Sequence, residues 1–529
     1  MPKFPDPTKD YGGTPVTGAI DLSVQGKETG TADIKNEAPP LYVAPAPIEP
    51  VAPPSASSLP PSPSNPPVIA PSSSPFRNLI PIVIGLVAIA VLVVLAMVVI
   101  PMFSKKTVAV TLNYWGLWEP SSVMQGVIAD YEAANPNVKI NYTMQAPKNY
   151  RTRFLAAGTQ VDSPDIVRIH NTWLPMLKKD LAPAPDTVLK VADLAGYYPI
   201  VQKNFVSGGK VYALPMEIDG LALLYNEDIL KEAGATPPTD WNALRKLAFD
   251  LTKTNPETKI IERAGVALGT TNNVDNWSDI LGLLILQNSG DPGKPSESAV
   301  QDALTFYTII STQDKSWDAS QPNSVYAFAT GTVAMILAPS WQVSEIKAIN
   351  PDLNFKVAPA PVLPSANYAW ATYWGEAVPL TSKNQVEAWK FIKYLSTPAV
   401  LQKMYLGATT IRALGEPYSL TSLSSSLAND PLAGPYVSQG PNYKSWYMAD
   451  RTFDDGINDG ISKYYEDAIN GINDGSTIAA VIKPLDEGVK QLLLKYPEAK
   501  WRYKIAFSKP LNTQITSAIH SLPQKFMSD

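Results

Sequence analysis

The 529-residue chain contains no cysteine and only two histidines, His170 and His520. The first absence excludes disulfides, thiolate nucleophiles and cysteine-based metal sites together. It leaves the redox compartment open, because secreted proteins can also lack cysteine. The second absence leaves little material for a multi-histidine metal site or a Ser/His triad, so no metal and no cofactor is expected. Charge of one sign is missing as a block. The net charge of −5 divides into −2 for residues 1–78, with five Lys/Arg against seven Asp/Glu, and −3 for everything after them. Nothing resembles a nucleic-acid footprint. Glycine-rich phosphate loops of the Walker or dinucleotide type are absent too, so any ATP-driven step must belong to a partner.

What is present is unevenly spread. Of the 50 prolines, 18 fall within residues 1–78, in stretches such as VAPPSASSLPPSPSNPPVIAPSSSPF. Such a segment buries too little apolar surface to offset its ordering entropy, and a disordered tail is expected there. Residues 79–103 then run for 25 positions without a charge, and about 20 apolar residues suffice to cross a bilayer. The run reads as a single transmembrane helix; a cleaved signal peptide would start near the N-terminus and carry a shorter apolar core. Arg77 flanks one side and Lys105 and Lys106 the other, a count that by itself favours the tail outside. A long globular domain can translocate regardless of such charges, so the expectation is a cytoplasmic tail, a cell-membrane helix and an extracellular domain over residues 104–529.

That domain opens with VAVTLNYW (Val108 to Trp115), a helical stretch around Val123 to Ala134 ending at Asn135-Pro136, and VKINYTM (Val138 to Met144). Strand, helix and strand in this order make a βαβ unit. The alternation continues through a helix at Tyr150 to Ala157, a strand at Asp165 to His170, a strand at Leu221 to Tyr225 and a helix from Trp241 capped by Asp240 or Thr239. Further helices are expected at Asp279 to Gln287, Ser298 to Thr312 and Gln385 to Leu395, with strands at Thr332 to Pro339 and Ala377 to Pro379. These elements predict an α/β fold with mainly parallel sheets, and there are too many of them for one sheet, so two lobes are expected.

Several phrases then carry a resemblance. They are NYWGLWEP, IADYEAANPNVKINY, SPDIVRIHNTW, GGKVYALPMEIDGLALLYNEDILKEAGATPPTDWNAL, FATGTVAMILAPSWQ and VEAWKFIKYLSTP. In this order and spacing, from about Val108 to Tyr496, the chain resembles the extracellular solute-binding proteins of family 1, the sugar-binding partners of ABC importers that include maltose-binding protein. The resemblance implies a two-lobed periplasmic-binding-protein (type II) fold that closes by hinge motion on ligand held in the cleft, a motion for which these proteins are the standard example. It implies lobe 1 at about 107–218 and 352–382, lobe 2 at about 219–351 and 383–496, and a C-terminal extension at 497–529. It also implies a small-molecule partner, a mono- or oligosaccharide, and the permease and ATPase subunits of an importer. A retained helix and Pro-rich tail stand where the family has a cleaved signal or a lipoprotein cysteine.

Sugars present hydroxyls around a weakly apolar face, so a cleft for them wants aromatic rings together with carboxylates or amides. Trp115, Trp118 and Glu119 follow the first strand, where an open α/β sheet places its crevice; core packing is the competing role for Trp115. Asn171 and Trp173 follow a later strand in the same way. Glu217 and Asp219 sit where the family's chain crosses between lobes, as hydroxyl acceptors or as a solvated hinge loop. Trp277 could face the cleft or cover a helix. Trp341, and Trp374 with Glu376, match family positions near the cleft and the returning crossover. Arg412 occupies a region where the family's short Pro-containing phrase is missing, and Trp446 and Tyr447 match aromatics that stack on ligand or pack as core.

Two other classes stay open. Glu217 and Asp219 could serve an anchored glycoside hydrolase, but two residues apart in a loop they do not face each other across a bond, and a binding protein rather than an enzyme is expected. A sensory receptor signalling through the helix to the tail is the other alternative. DDGINDG (Asp454 to Gly460) hints at a calcium loop, yet counted from Asp455 its third position is Ile457, which cannot ligate a hard cation. Phe453, Ile457 and Ile461 at fourfold spacing read instead as an amphipathic helix.

Overall fold

The computed structural model describes residues 109–502 apart from positions 159, 161, 364 and 365. The expected tail (1–78), the expected membrane helix (79–103) and the chain after 502 lie outside the described residues. No helix among the described residues is long and apolar enough to cross a membrane.

Two five-stranded sheets organise the domain. The first has the order β2-β1-β3-β11-β4, from Val110–Gly116 (β1), Val138–Met144 (β2), Ile166–His170 (β3), Leu181–Ala182 (β4) and Trp374–Pro379 (β11). In β1, Leu112 and Tyr114 turn inward while Thr111 stays exposed, the period-2 pattern of a strand with one covered face. β3 is buried at every position, as a central strand must be. The second sheet has the order β9-β5-β8-β7-β6, from Ala222–Asn226 (β5), Lys253–Thr254 (β6), Ile261–Val266 (β7), Val333–Ala338 (β8) and Phe355–Pro359 (β9). Here β8 is the fully buried strand, and outside both sheets the short strand Ala369–Trp370 (β10) pairs in parallel with Tyr443–Lys444.

Both sheets are mixed rather than mainly parallel. β1 runs parallel to β2 and β3, but β11 is antiparallel to β3 and β4. In the second sheet only the β7–β8 pair is parallel. The antiparallel strands β5, β9 and β11 directly follow or precede passages of the chain from one sheet to the other.

Helices cover both sheets. On the first lie Ser121–Ala134 (α1), Gln385–Leu395 (α7) and Pro398–Thr409 (α8), with α7 against β11 and α8 against α1. On the second lie Trp241–Leu251 (α3), Trp277–Gln287 (α4), Ser298–Thr312 (α5) and Trp341–Ile349 (α6); Tyr150–Ala157 (α2) precedes β3. Asp240 caps α3 as expected, its Oδ1 accepting from the Ala243 amide at 2.8 Å. A hairpin of Ile457–Asn473 (α9) and Ile478–Lys495 (α10) packs on α5. These memberships differ from the segment boundaries expected from the sequence. Residues 355–359 hydrogen-bond into the second sheet, not the first, and 385–409 cover the first sheet, not the second.

Three stretches pass between the sheets and run side by side. Residues 212–221 lead from the first to the second, 360–373 lead back, and 410–420 lie beside both. Isolated bridges join Leu214 to Glu376, Gly220 to Ala371 and Glu217 to Tyr418. Gly220 is required there, because a Cβ on it would lie 1.9 Å from the Trp370 carbonyl oxygen.

Candidate functional site

A cavity of about 420 Å³ lies beside this waist, within the size range of small-molecule sites. Its walls come from the ends of strands. The C-terminal end of β3 supplies His170, and the start of β11, paired with it in register, supplies Trp374. The loop after β1 supplies Trp118, and the turn after β8 supplies Pro339 and Trp341. The waist adds Glu217, Asp219, Thr372, Tyr373, Arg412 and Glu416.

Trp374 meets three aromatic rings edge-on, Trp173 and His170 at centroid distances of 5.1 Å and Trp118 at 5.9 Å. That geometry fixes one ring wall of the cavity. Across it, Trp341 carries the Arg451 guanidinium 5.0 Å above its ring, and Arg451 is anchored on Asp275 at 2.5 Å. Four lining residues, Trp118, Asn276, Arg451 and Phe453, have φ between 50° and 69°. For bulky side chains this is a strained region, and strain of this kind collects at functional sites.

Beneath the ring wall lies an ionic cluster. Arg168, almost fully buried in β3, contacts Glu217 at 2.5 Å and Glu376 at 2.9 Å and donates to the Leu117 carbonyl at 2.9 Å. The Tyr114 hydroxyl donates to Glu376 at 2.9 Å. Arg412 bridges Glu119 at 3.2 Å and Glu416 at 3.3 Å. Burial raises the carboxyls of Glu119, Glu217 and Glu376 against the lowering pull of the guanidinium groups. Asp219 sits at the N-terminus of α6, accepting from the Ser340 amide at 3.0 Å, the Ser340 hydroxyl at 2.8 Å and the Gly220 amide at 2.7 Å. Burial outweighs these bonds and pushes its pKa up to about 7. His170 is held between the hydroxyls of Thr172 and Thr372 at 2.8 and 3.1 Å, and burial lowers its pKa to about 3, so the ring is neutral. Asp279 accepts from the Trp370 indole at 2.5 Å and from the Asp450 amide at 2.8 Å, and burial raises its carboxyl as well.

Of the residues singled out in the sequence, Trp118, Glu217, Asp219, Trp341, Trp374 and Arg412 line this cavity, and Glu119 lines a small pocket beside it. The others do not line either. Trp115 points to the opposite face of β1 from Tyr114 and packs on the core. Asn171 is a buried strut: its amide donates to the Tyr373 carbonyl at 2.9 Å, its Oδ1 accepts from the Tyr373 amide at 3.3 Å, and its Nδ2 donates to Asn204 at 3.2 Å. Trp173 is fully buried behind Trp374. Trp277 opens α4 as a core residue, leaving Asn276 and Asp279 to face the cavity. Glu376 belongs to the ionic cluster under the cavity floor. Trp446 and Tyr447 are core residues with ring centroids 5.2 Å apart.

Sequence reasoning missed His170, Asn276, Asp279, Glu416, Asp450, Arg451 and Phe453. The fourfold spacing puts Phe453 on a helix face, but α9 begins only at Ile457, and the exposed Phe453 ring lines the cavity. The adjacent charges Asp450 and Arg451 are the one signal in the sequence that points there. Among the described residues, no group of three His, Cys, Asp or Glu could hold a metal ion.

With this geometry in place, likenesses to known proteins can be read. The profile of the bacterial extracellular solute-binding proteins matches residues 115–402. A binding protein of Brucella abortus (strain 2308) is 26% identical over 278 residues, 50% of this chain and 66% of that protein, so the chain spans just under two thirds of that relative. The multiple sugar-binding protein of Streptococcus mutans is 23% identical over 57% of this chain and 74% of its own length. Among solved structures, the sugar-binding protein MalE from Xanthomonas citri superposes with a TM-score of 0.61 at 24% identity, covering 73% of this chain and 98% of that one. The GacH receptor of Streptomyces glaucescens superposes with a TM-score of 0.58 at 21% identity, covering 74% and 100%. At such identities the structural likeness speaks to the two-lobed α/β fold alone.

Proposed function

The chain belongs to the bacterial extracellular solute-binding proteins, and from that premise we propose that it captures a carbohydrate in the cavity at the waist and delivers it to an ABC-type importer. The observation that carries this reading is the pairing of two tryptophan walls, Trp374 with Trp118 and Trp341, with carboxylates between them. Rings take the weakly apolar face of a sugar, and Glu217, Asp219 and Asp450 accept its hydroxyl hydrogens. The cavity draws on both sheets and on the crossing stretches, so a ligand bound there has more contacts when the lobes close. Closure follows from that difference in affinity alone. In the same proposal the uncharged run 79–103 anchors the domain in the cell membrane, the tail lies in the cytoplasm, and permease and ATPase subunits are the partners.

The test is a thermal-shift screen of the full-length chain against mono- and oligosaccharides, with amino acids and peptides as controls. A ligand that binds only the native state raises stability, so one sugar class is expected to stabilise the chain. W374A and W341A each weaken that binding by about tenfold or more. Stabilisation by a peptide and by no sugar overturns the carbohydrate assignment and leaves the fold untouched.

A further inference from the structure

The charges under the cavity do not balance. Four carboxylates, Glu119, Glu217, Glu376 and Glu416, share two guanidinium groups, Arg168 and Arg412. Glu119 is 4% exposed and Glu376 is fully buried, yet Oε2 of each has no hydrogen-bond partner among the described residues. A buried carboxylate oxygen without a donor is costly, and an ionised one more so.

Three of the four carboxylates, Glu119, Glu217 and Glu416, face a pocket of about 20 Å³. Glu217, Arg412 and Glu416 also line the large cavity, so the two spaces adjoin. Its other walls include the rings of Tyr405 and Tyr418, 5.2 Å apart, and Met404. The volume suits one water-sized group. A metal ion does not fit, since among the described residues no three carboxylates converge closely enough to ligate one. An ammonium group does fit: it has three donors, tolerates longer contacts to carboxylates and is attracted to tyrosine faces.

We propose that this pocket takes the protonated amine of an amino sugar, so that the cleft prefers an amine-bearing carbohydrate to its neutral counterparts. The amine supplies the donor that Glu119 Oε2 lacks and one of the two positive charges missing from the cluster. Burial already raises the Glu119 and Glu217 carboxyls, and an ammonium beside them favours their ionised forms. The inference rests on the carbohydrate reading of the large cavity.

Calorimetric titration of the full-length chain with matched sets tests it. Each set is one sugar as free amine, N-acetyl and hydroxyl forms: glucosamine, galactosamine and mannosamine with their counterparts, and the β-1,4 diglucosamine with diacetylchitobiose and cellobiose. Below neutral pH the amine is expected to bind about tenfold tighter than both counterparts, and the ratio shrinks as salt is raised. E119Q brings the ratio close to one. If E119Q fails to fold, E416Q and the salt dependence of the unaltered protein decide the matter in the same way. Equal or tighter binding of the hydroxyl form overturns the inference while leaving the carbohydrate reading intact. Binding of no sugar in any form overturns both.

Discussion

Asp219 and His170 show how one buried site can hold two groups with opposite responses to pH. The folded-state pKa of Asp219, about 7, lies above its ordinary 3.8. The folded chain therefore keeps a proton that the unfolded chain has lost, and stability falls as pH rises from about 4 to about 7. His170 is displaced the other way, from 6.5 to about 3. In that window the unfolded chain binds a proton that the folded chain refuses, so stability falls as pH drops below about 6.5. The two slopes oppose each other through mildly acidic pH. Thermal unfolding across that range is expected to tilt in opposite directions in the single variants: D219N makes stability rise more steeply with pH, and H170N makes it fall. Equal slopes in both variants and the parent would mean that neither group keeps its displaced titration.

At the scale of elements, close approach of backbone is the sharpest constraint. A Cβ at Gly265 in β7 would lie 1.9 Å from the Ala248 carbonyl oxygen of α3. Backbone cannot swing aside as a side chain can, so G265A is expected to cost about 1–3 kcal/mol in denaturant unfolding. A cost near zero would show that α3 can shift along the sheet. Elements with strong local signals were legible in the sequence: α5 and α7 match their expected bounds and pair an apolar period with polar punctuation, and the short α2 matches its bounds as well. Two later helices, α8 and α10, were not read, and α9 was read as starting too early, at Phe453. Pro398 opens α8 but reads as a stop after α7, Pro484 lies inside α10 where proline argues against a helix, and the acidic run before Ile457 hides the start of α9. The site was half legible for a related reason. Tryptophans after strands declare themselves, and Trp118, Trp341 and Trp374 do line the cavity. Whether a tryptophan faces the cavity or backs such a ring, as Trp173 does, depends on a neighbour 201 residues away in sequence at Trp374, which no local pattern encodes. Arg451 and Phe453 reach the cavity through left-handed backbone that their side chains do not announce.

For the whole domain, the lack of cysteine turns into an experimental advantage. Met144 at the end of β2 and Tyr326 before β8 are both exposed, one on each sheet's half of the molecule. M144C/Y326C then carries the only two thiols in the chain, so donor and acceptor dyes attach there alone. Saturating sugar is expected to change the energy transfer between them in a single cooperative step. Binding without any change in transfer would mean that the lobes do not move on each other. The three crossing stretches make a further difference to how this protein can evolve. Glu217, Asp219, Arg412 and Glu416 line the cavity and also lie on the crossing stretches, so recognition and stiffness are inherited together. A selection for tighter capture will keep recovering substitutions at these positions that slow release by making reopening rarer, whichever sugar is offered. A change of preferred ligand has to come from residues borne by one lobe alone, such as Trp341, Asp450 and Arg451, and those are the positions where descendants with different ligands should diverge first.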